Sequence, residues 1–153
     1  MILEYSKARQ NSRTPERANP SDAGLDIFFC PEEENAAGIW LSPGESGLFS
    51  TGLKFGVPHG YMLEVKNRSG NAAKRHLLVG ACVIDSGYEG EVFVNLHTVG
   101  REPQFIDADM KIAQVVMSPV VHFRPQEVEE SKIYSYPITI SDRGAGALGS
   151  TDA

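Results

Sequence analysis

Glycine and proline recur so densely between Leu41 and Tyr61, at positions 43, 44, 47, 52, 56, 58 and 60, that no helix can run through this region. What lies between and beside them is apolar, β-branched or aromatic: Ile39-Trp40-Leu41, Leu48-Phe49, Leu53 to Val57 and Tyr61 to Lys66. Runs this short, bounded by turn residues, predict strands. Their regular spacing predicts an all-β barrel or sandwich rather than an α/β fold.

The same reading extends in both directions. Met1 to Tyr5 predicts a first strand, Leu25 to Phe29 a second that carries Asp26 among apolar neighbours, and Gln104 to Ile106 a later one. Met110 to Met117 is an almost continuous apolar run interrupted by Gln114. Val120 to Phe123 and Pro125 are expected to finish the folded body. Asn67 to Arg75 holds the one credible helix start, with Ser69 as its cap and Ala72-Ala73 behind it. Ala81 to Val92 reads as a β-hairpin: Cys82-Val83-Ile84 enters, Ser86-Gly87 and Gly90 turn, and Val92-Phe93-Val94 leaves, presenting Asp85 and Tyr88. One domain over residues 1–140 is expected, followed by a flexible tail over 141–153.

Charge narrows the function. A net charge of -6 over 153 residues argues against a general affinity for nucleic acid or for an anionic membrane. The basic start, Lys7, Arg9, Arg13 and Arg17, reads as a solvated surface. With no apolar segment of transmembrane length and no leader pattern, the expected compartment is the cytoplasm. Cys30 and Cys82 have no metal-ligand spacing with His59, His76, His97 or His122 and read as reduced, packed thiols, with His122 a satisfied core histidine.

Several residues could carry chemistry. Asp85 stands in a turn, where aspartate is also an ordinary turn residue. Asp26, in an apolar strand, must face solvent, pair, or serve a cation site. Arg68 and Gly70 flank a helix start and could cradle a phosphate. Gln114 needs hydrogen-bond partners, from backbone or from a ligand. The tail offers Arg143, glycines and the hydroxyls of Ser150 and Thr151, a set that either stays disordered or orders around a phosphate chain.

Taken together, five collinear stretches resemble the motifs of the homotrimeric deoxyuridine triphosphatases (dUTPases). They are Ala23-Gly24-Leu25-Asp26, Arg68-Ser69-Gly70, Val83-Ile84-Asp85 with Tyr88 and Gly90, Ile112-Ala113-Gln114, and Arg143-Gly144-Ala145-Gly146 with Gly149-Ser150-Thr151. The resemblance implies an all-β, jelly-roll-like β-barrel with one short helix and a glycine-rich tail, and a homotrimer whose active sites are shared between subunits. It implies hydrolysis of dUTP to dUMP and pyrophosphate, which keeps uracil out of DNA and supplies dUMP for thymidylate synthesis. By the same resemblance Asp85 is the general base and contacts the 3′-hydroxyl, while Tyr88 stacks under the deoxyribose and leaves no room for a 2′-hydroxyl. Arg68, Ser69 and Gly70 hold phosphates, and Cys82 and Ile84 lie on the strand whose backbone reads uracil. Mg²⁺ is held mainly by the triphosphate, with Asp26 and Gln114 on its waters. The tail of a neighbouring subunit closes over the nucleotide, bringing Arg143, Ser150 and Thr151 to the γ-phosphate and Leu148 over the base, with Gly149 also among the substrate-binding residues.

The departures from the family pattern cluster near the base. Cys82 stands for a usual glycine, Gly87 and Glu89 for a usual aspartate and a frequent arginine or glutamine, and Leu148 for the aromatic residue that covers the base. Asn67 replaces proline and Lys111 replaces arginine. The alternatives are the same-fold dCTP deaminase branch, disfavoured by Asn95 where a carboxylate is needed, another deoxynucleotide as substrate, a non-catalytic regulatory trimer, and a structural trimer that ignores nucleotides.

Overall fold

The computed structural model describes residues 1–136, 140–141 and 143–147; Leu148, Gly149, Ser150 and Thr151 lie outside the described residues. The chain divides into two compact units, Met1–His122 and Phe123–Ala153.

Among the described residues, the first unit contains eleven strands and one α-helix. The strands are β1 (Glu4–Lys7), β2 (Leu25–Phe28), β3 (Gly38–Leu41), β4 (Ser46–Ser50), β5 (Leu53–Gly56), β6 (Tyr61–Lys66), β7 (Leu77–Val79), β8 (Val83–Ile84), β9 (Phe93–Thr98), β10 (Gln104–Asp107) and β11 (Lys111–Pro119), with α1 (Ser69–Arg75) between β6 and β7. They form four antiparallel sheets, ordered β2-β11-β6-β8, β4-β9-β7, β1-β5 and β10-β3, in a jelly-roll-like arrangement whose hydrogen bonding does not close into one barrel. Alternation builds the core: Leu63 and Val65 of β6 and Val94 and Leu96 of β9 point inward while their neighbours are partly or wholly exposed. Phe29 and Phe49 meet edge to face at 5.1 Å in its centre. A register shift between Lys111 and Ala113 lets two successive residues, Ile112 and Ala113, both face inward.

Five expectations need correction. The 81–92 segment is not a hairpin, because β8 pairs with β6 and β9 pairs with β4 and β7, so the turn carries the chain from one sheet to another. Ser69 does not cap α1; Arg68 occupies the N-cap in extended geometry, with no side-chain capping bond. Cys30 is buried but Cys82 is exposed, since Cys82 follows a loop and gives its carbonyl to Val65 N–H at 2.7 Å. His122 is exposed and stacks on His59 at 4.7 Å, and Val121 beside it is also exposed, so the apolar residues after β11 add no core. The basic arm is not wholly solvated: Arg9 reaches inward to Glu91, and the Arg13 guanidinium lies 4.5 Å over the Phe28 ring.

In the second unit, a short 3₁₀ turn spans Glu130–Lys132. Further on, Gly144 takes a left-handed conformation (φ 56°), Arg143 Nε donates to the Gly146 carbonyl at 2.8 Å, and the Gly146 amide returns a bond to the Arg143 carbonyl at 3.1 Å. Among the described residues no helix is long and apolar enough to cross a membrane.

Candidate active site

The first group of site residues is built by the β2-β11-β6 ladder. Register places Gln114 of β11 opposite Asp26 on one side and Lys66 on the other. Asp26 is 9% exposed, and the possibility that it simply faces water is overturned: Oδ1 accepts from Arg68 Nε at 2.8 Å and Oδ2 pairs with Lys111 Nζ at 3.1 Å. The hydrogen bond that Lys111 donates to Asp26 raises its ammonium above the ordinary value, and Glu16, 3.4 Å away, adds to this.

Gln114 finds its partner in the backbone: Nε2 donates to the Asn67 carbonyl at 2.9 Å. That bond turns the amide so that its oxygen lies against Gly24, where any Cβ would collide with it. Gly24 is thus required by the packing of Gln114 rather than by its own backbone angles. The chain then leaves β6 through Asn67, whose Oδ1 accepts from the Val79 amide at 2.7 Å, and enters α1 at Ser69. Asn71 anchors the helix, donating from a buried amide to the Lys111 and Ile112 carbonyls at 3.0 and 3.3 Å, the carbonyls beside the β11 register shift. Ser69 and Gly70 are exposed, and the space around Gly70 is open. Arg68 guanidinium, the first-turn amides and Gln114 therefore share one rim.

The second group is the turn after β8. Ile84 is buried opposite Leu63, and Asp85 follows as an exposed carboxylate. The Tyr88 amide donates to the Asp85 carbonyl at 3.2 Å across Gly87, whose φ of 86° is left-handed and suits glycine. Tyr88 folds back over Gly90, where a Cβ would strike its ring, and its hydroxyl donates to the Glu91 carbonyl at 2.9 Å. A recess lined by Val83, Ile84, Asp85, Tyr88 and Phe93 opens beside it. The entry to this turn is braced from behind by Asn95: its Oδ1 accepts from the Ala81 amide at 3.3 Å and its Nδ2 donates to the Gly47 carbonyl at 3.3 Å.

One chain does not bring the two groups together. Asp85 lies level with Met62, one residue beyond the Leu63–Ile84 pair, whereas Gln114 is level with Lys66 and Arg68 lies two residues further. At about 3.3 Å per strand residue and about 4.8 Å between strands, Asp85 is roughly 20 Å from Arg68 and from Asp26. Arg143 lies in the second unit.

Among the described residues no three His, Cys, Asp or Glu side chains converge as a metal cage. A hard divalent ion that keeps its waters would be carried by a polyanionic ligand; of the Asp26 oxygens, Oδ2 takes both Lys111 Nζ and Arg68 Nη2, while Oδ1 takes only Arg68 Nε and retains a lone pair for such a water. The groups that sequence reasoning missed are Asn67, Asn71, Arg9 and Glu91. A buried-looking asparagine at a helix start is a signal for Asn71; Arg9 and Glu91, 82 residues apart, left none.

Comparison with known proteins shows the family. The dUTPase family model matches residues 10–151. A deoxyuridine 5'-triphosphate nucleotidohydrolase of Clostridium acetobutylicum is 36% identical over 151 residues, covering 97% of this chain and 95% of that protein. The enzyme of the same name from Chlamydia pneumoniae is 39% identical over 141 residues, covering 91% and 90%. Among solved structures, a Staphylococcus bacteriophage 80alpha dUTPase with dUPNHPP superposes with a TM-score of 0.82 at 26% identity, covering 97% of both chains. A phage phi11 dUTPase, solved to describe coordination of a structural Mg(II) ion, gives 0.75 at 26% identity over 85% of this chain and 98% of that one.

Proposed function

This chain belongs to the dUTPase family, and we propose that it hydrolyses dUTP to dUMP and pyrophosphate in sites shared between the subunits of a homotrimer. The observation that carries the reading is the β6 register, which sends Asp85 and the Arg68–Asp26 pair toward opposite ends of the strand, roughly 20 Å apart at ideal strand spacings. A base within hydrogen-bond reach of a water at the α-phosphorus cannot stand that far from the arginine holding the same phosphate chain. A second copy supplies the missing half.

In the assembled site, Asp85 accepts the proton of the attacking water and contacts the 3′-hydroxyl, while the Tyr88 ring, held over Gly90, forms the floor under the sugar. Arg68, Ser69 and Gly70 take the phosphates; Arg68 leaves Asp26 to do so, and Lys111 remains to balance the carboxylate. Asp26 and Gln114 would hold a triphosphate-borne Mg²⁺ through its waters, and the ion would supply charge neutralisation to the phosphate oxygens. The Cys82 to Ile84 backbone faces the base. Arg143, Leu148, Gly149, Ser150 and Thr151 come from a third copy's tail and exclude bulk water while the phosphates are aligned for in-line attack.

The test is pyrophosphate release from dUTP, dCTP, dTTP and UTP in parallel, with Mg²⁺ and with chelator. Release from dUTP alone, lost with chelator, is the expected result. Release only from another nucleotide would refute the substrate assignment, and binding without release from any would refute the hydrolase.

A further inference from the structure

The most elaborate polar cluster outside the groups described above ties the N-terminal arm to the Asp85 turn. Arg9 meets Glu91 through two parallel bonds, Nη1 to Oε2 at 2.9 Å and Nη2 to Oε1 at 2.7 Å. Nη2 also donates to the Cys30 carbonyl at 3.0 Å, and the Gly52 amide donates to Glu91 Oε1 at 2.7 Å. The arm itself is pinned to the same place, with the Ala8 amide on the Gly52 carbonyl at 2.7 Å and Ser12 so close that a Cβ at Gly52 would strike its hydroxyl. Arg9 Nε is buried without a partner, so the pair sits in a largely desolvated place where its geometry is held firmly.

Glu91 is the residue whose backbone carbonyl receives the Tyr88 hydroxyl. Its neighbour Val92 is locked as well, its amide on the Leu53 carbonyl at 2.8 Å and its carbonyl on Thr51 Oγ1 at 2.6 Å. The peptide that anchors Tyr88 is therefore fixed on the side-chain side by Arg9 and on the chain side by the β4–β5 turn. We infer that Arg9 is a positioning residue: through Glu91 it fixes the carbonyl that holds the Tyr88 ring, and thereby sets the discrimination between deoxyribose and ribose. This rests on the function proposed above.

The experiment measures kcat and KM for dUTP and UTP in the full chain for wild type, R9M, E91Q, Y88F and the R9M/Y88F double variant, with hydrogen exchange of the 85–92 amides alongside. R9M is expected to raise KM for dUTP more than it lowers kcat and to narrow the dUTP-to-UTP ratio of kcat/KM by about tenfold. Y88F should narrow it similarly, and the double variant no further than Y88F alone, because both act through one bond. Faster exchange of the 85–92 amides in R9M is expected. An unchanged ratio, or a double variant that sums both losses, would overturn the inference, since a merely stabilising pair lowers turnover of both substrates alike. Should R9M not fold, R9K, which keeps the charge but not the paired geometry, and E91Q read the same ratio. Wild type inert on every nucleotide would sink the hydrolase reading alone, and the exchange data would still decide whether Arg9 holds the turn.

Discussion

At the scale of single residues, Asp26 and Glu91 are both carboxylates held in place by cations, and they differ in what is meant to move. Asp26 is held by two separate cations, Arg68 on both oxygens and Lys111 on Oδ2, so in the proposed site Arg68 can leave while Lys111 keeps the charge balanced. Glu91 has both oxygens committed to Arg9 and the Gly52 amide, an arrangement suited to holding still. Burial alone would raise the Glu91 carboxyl, but the Arg9 hydrogen bonds and the Gly52 amide together outweigh it, and the group sits below its ordinary value of 4.5. A depressed folded-state value means that this stabilisation is present above pH 4.5 and is lost as pH falls through the folded-state value. The thermal midpoint of the wild type should therefore fall as pH is taken below 4.5, and that of E91Q less steeply. Equal slopes would show that Glu91 contributes nothing to acid stability. Lys111 behaves in the opposite sense, its contribution intact below its ordinary 10.5 and lost as pH rises through the raised value. That Asp26 had to face solvent, pair or serve a cation site was legible from its apolar neighbours; that it pairs, and with Arg68 and Lys111, was not, because 42 residues of chain separate Asp26 from Arg68.

Elements were legible where their pattern is local. Short runs between glycines and prolines became strands, and the single helix lies where Ala72 and Ala73 favour it. Pairing was not legible. The glycine-marked turn at 85–90 has every local mark of a hairpin, yet β8 has only two residues and takes β6 as its partner, leaving β9 to the other sheet. Partner choice is decided by burial of Ile84 against Leu63, which no local window contains. The helix shows the same division: its position followed from composition, while its attachment depends on Asn71 reaching the β11 bulge. Replacing Asn71 with alanine leaves two carbonyls without that donor and should cost about 1–3 kcal/mol, read as a lower urea midpoint at unchanged slope. Because α1 begins at the residue after Arg68, the same variant should raise KM for dUTP. Unchanged stability would show that the helix is held by its apolar contacts alone.

For the whole molecule, the arrangement of the strands is the ground for the proposal that sites are shared between copies. Within the first unit, the four motifs that are collinear in the chain fall into two groups, with Asp85 and Tyr88 toward one end of the β6 ladder and Asp26, Arg68 and Gln114 toward the other. Light scattering should accordingly report three times 16.7 kDa. The most direct measurement is complementation. D85N and R68Q, each expected to be inactive as pure assemblies while still binding a non-hydrolysable dUTP analogue or folding normally, are unfolded together, refolded as a mixture and assayed for pyrophosphate release from dUTP. If Asp85 and Arg68 of one site come from different copies, mixed trimers contain sites with both native residues, and activity returns. If the mixture stays as inactive as its parents although mixed assemblies form, Asp85 and Arg68 act within one chain, and the shared site is wrong.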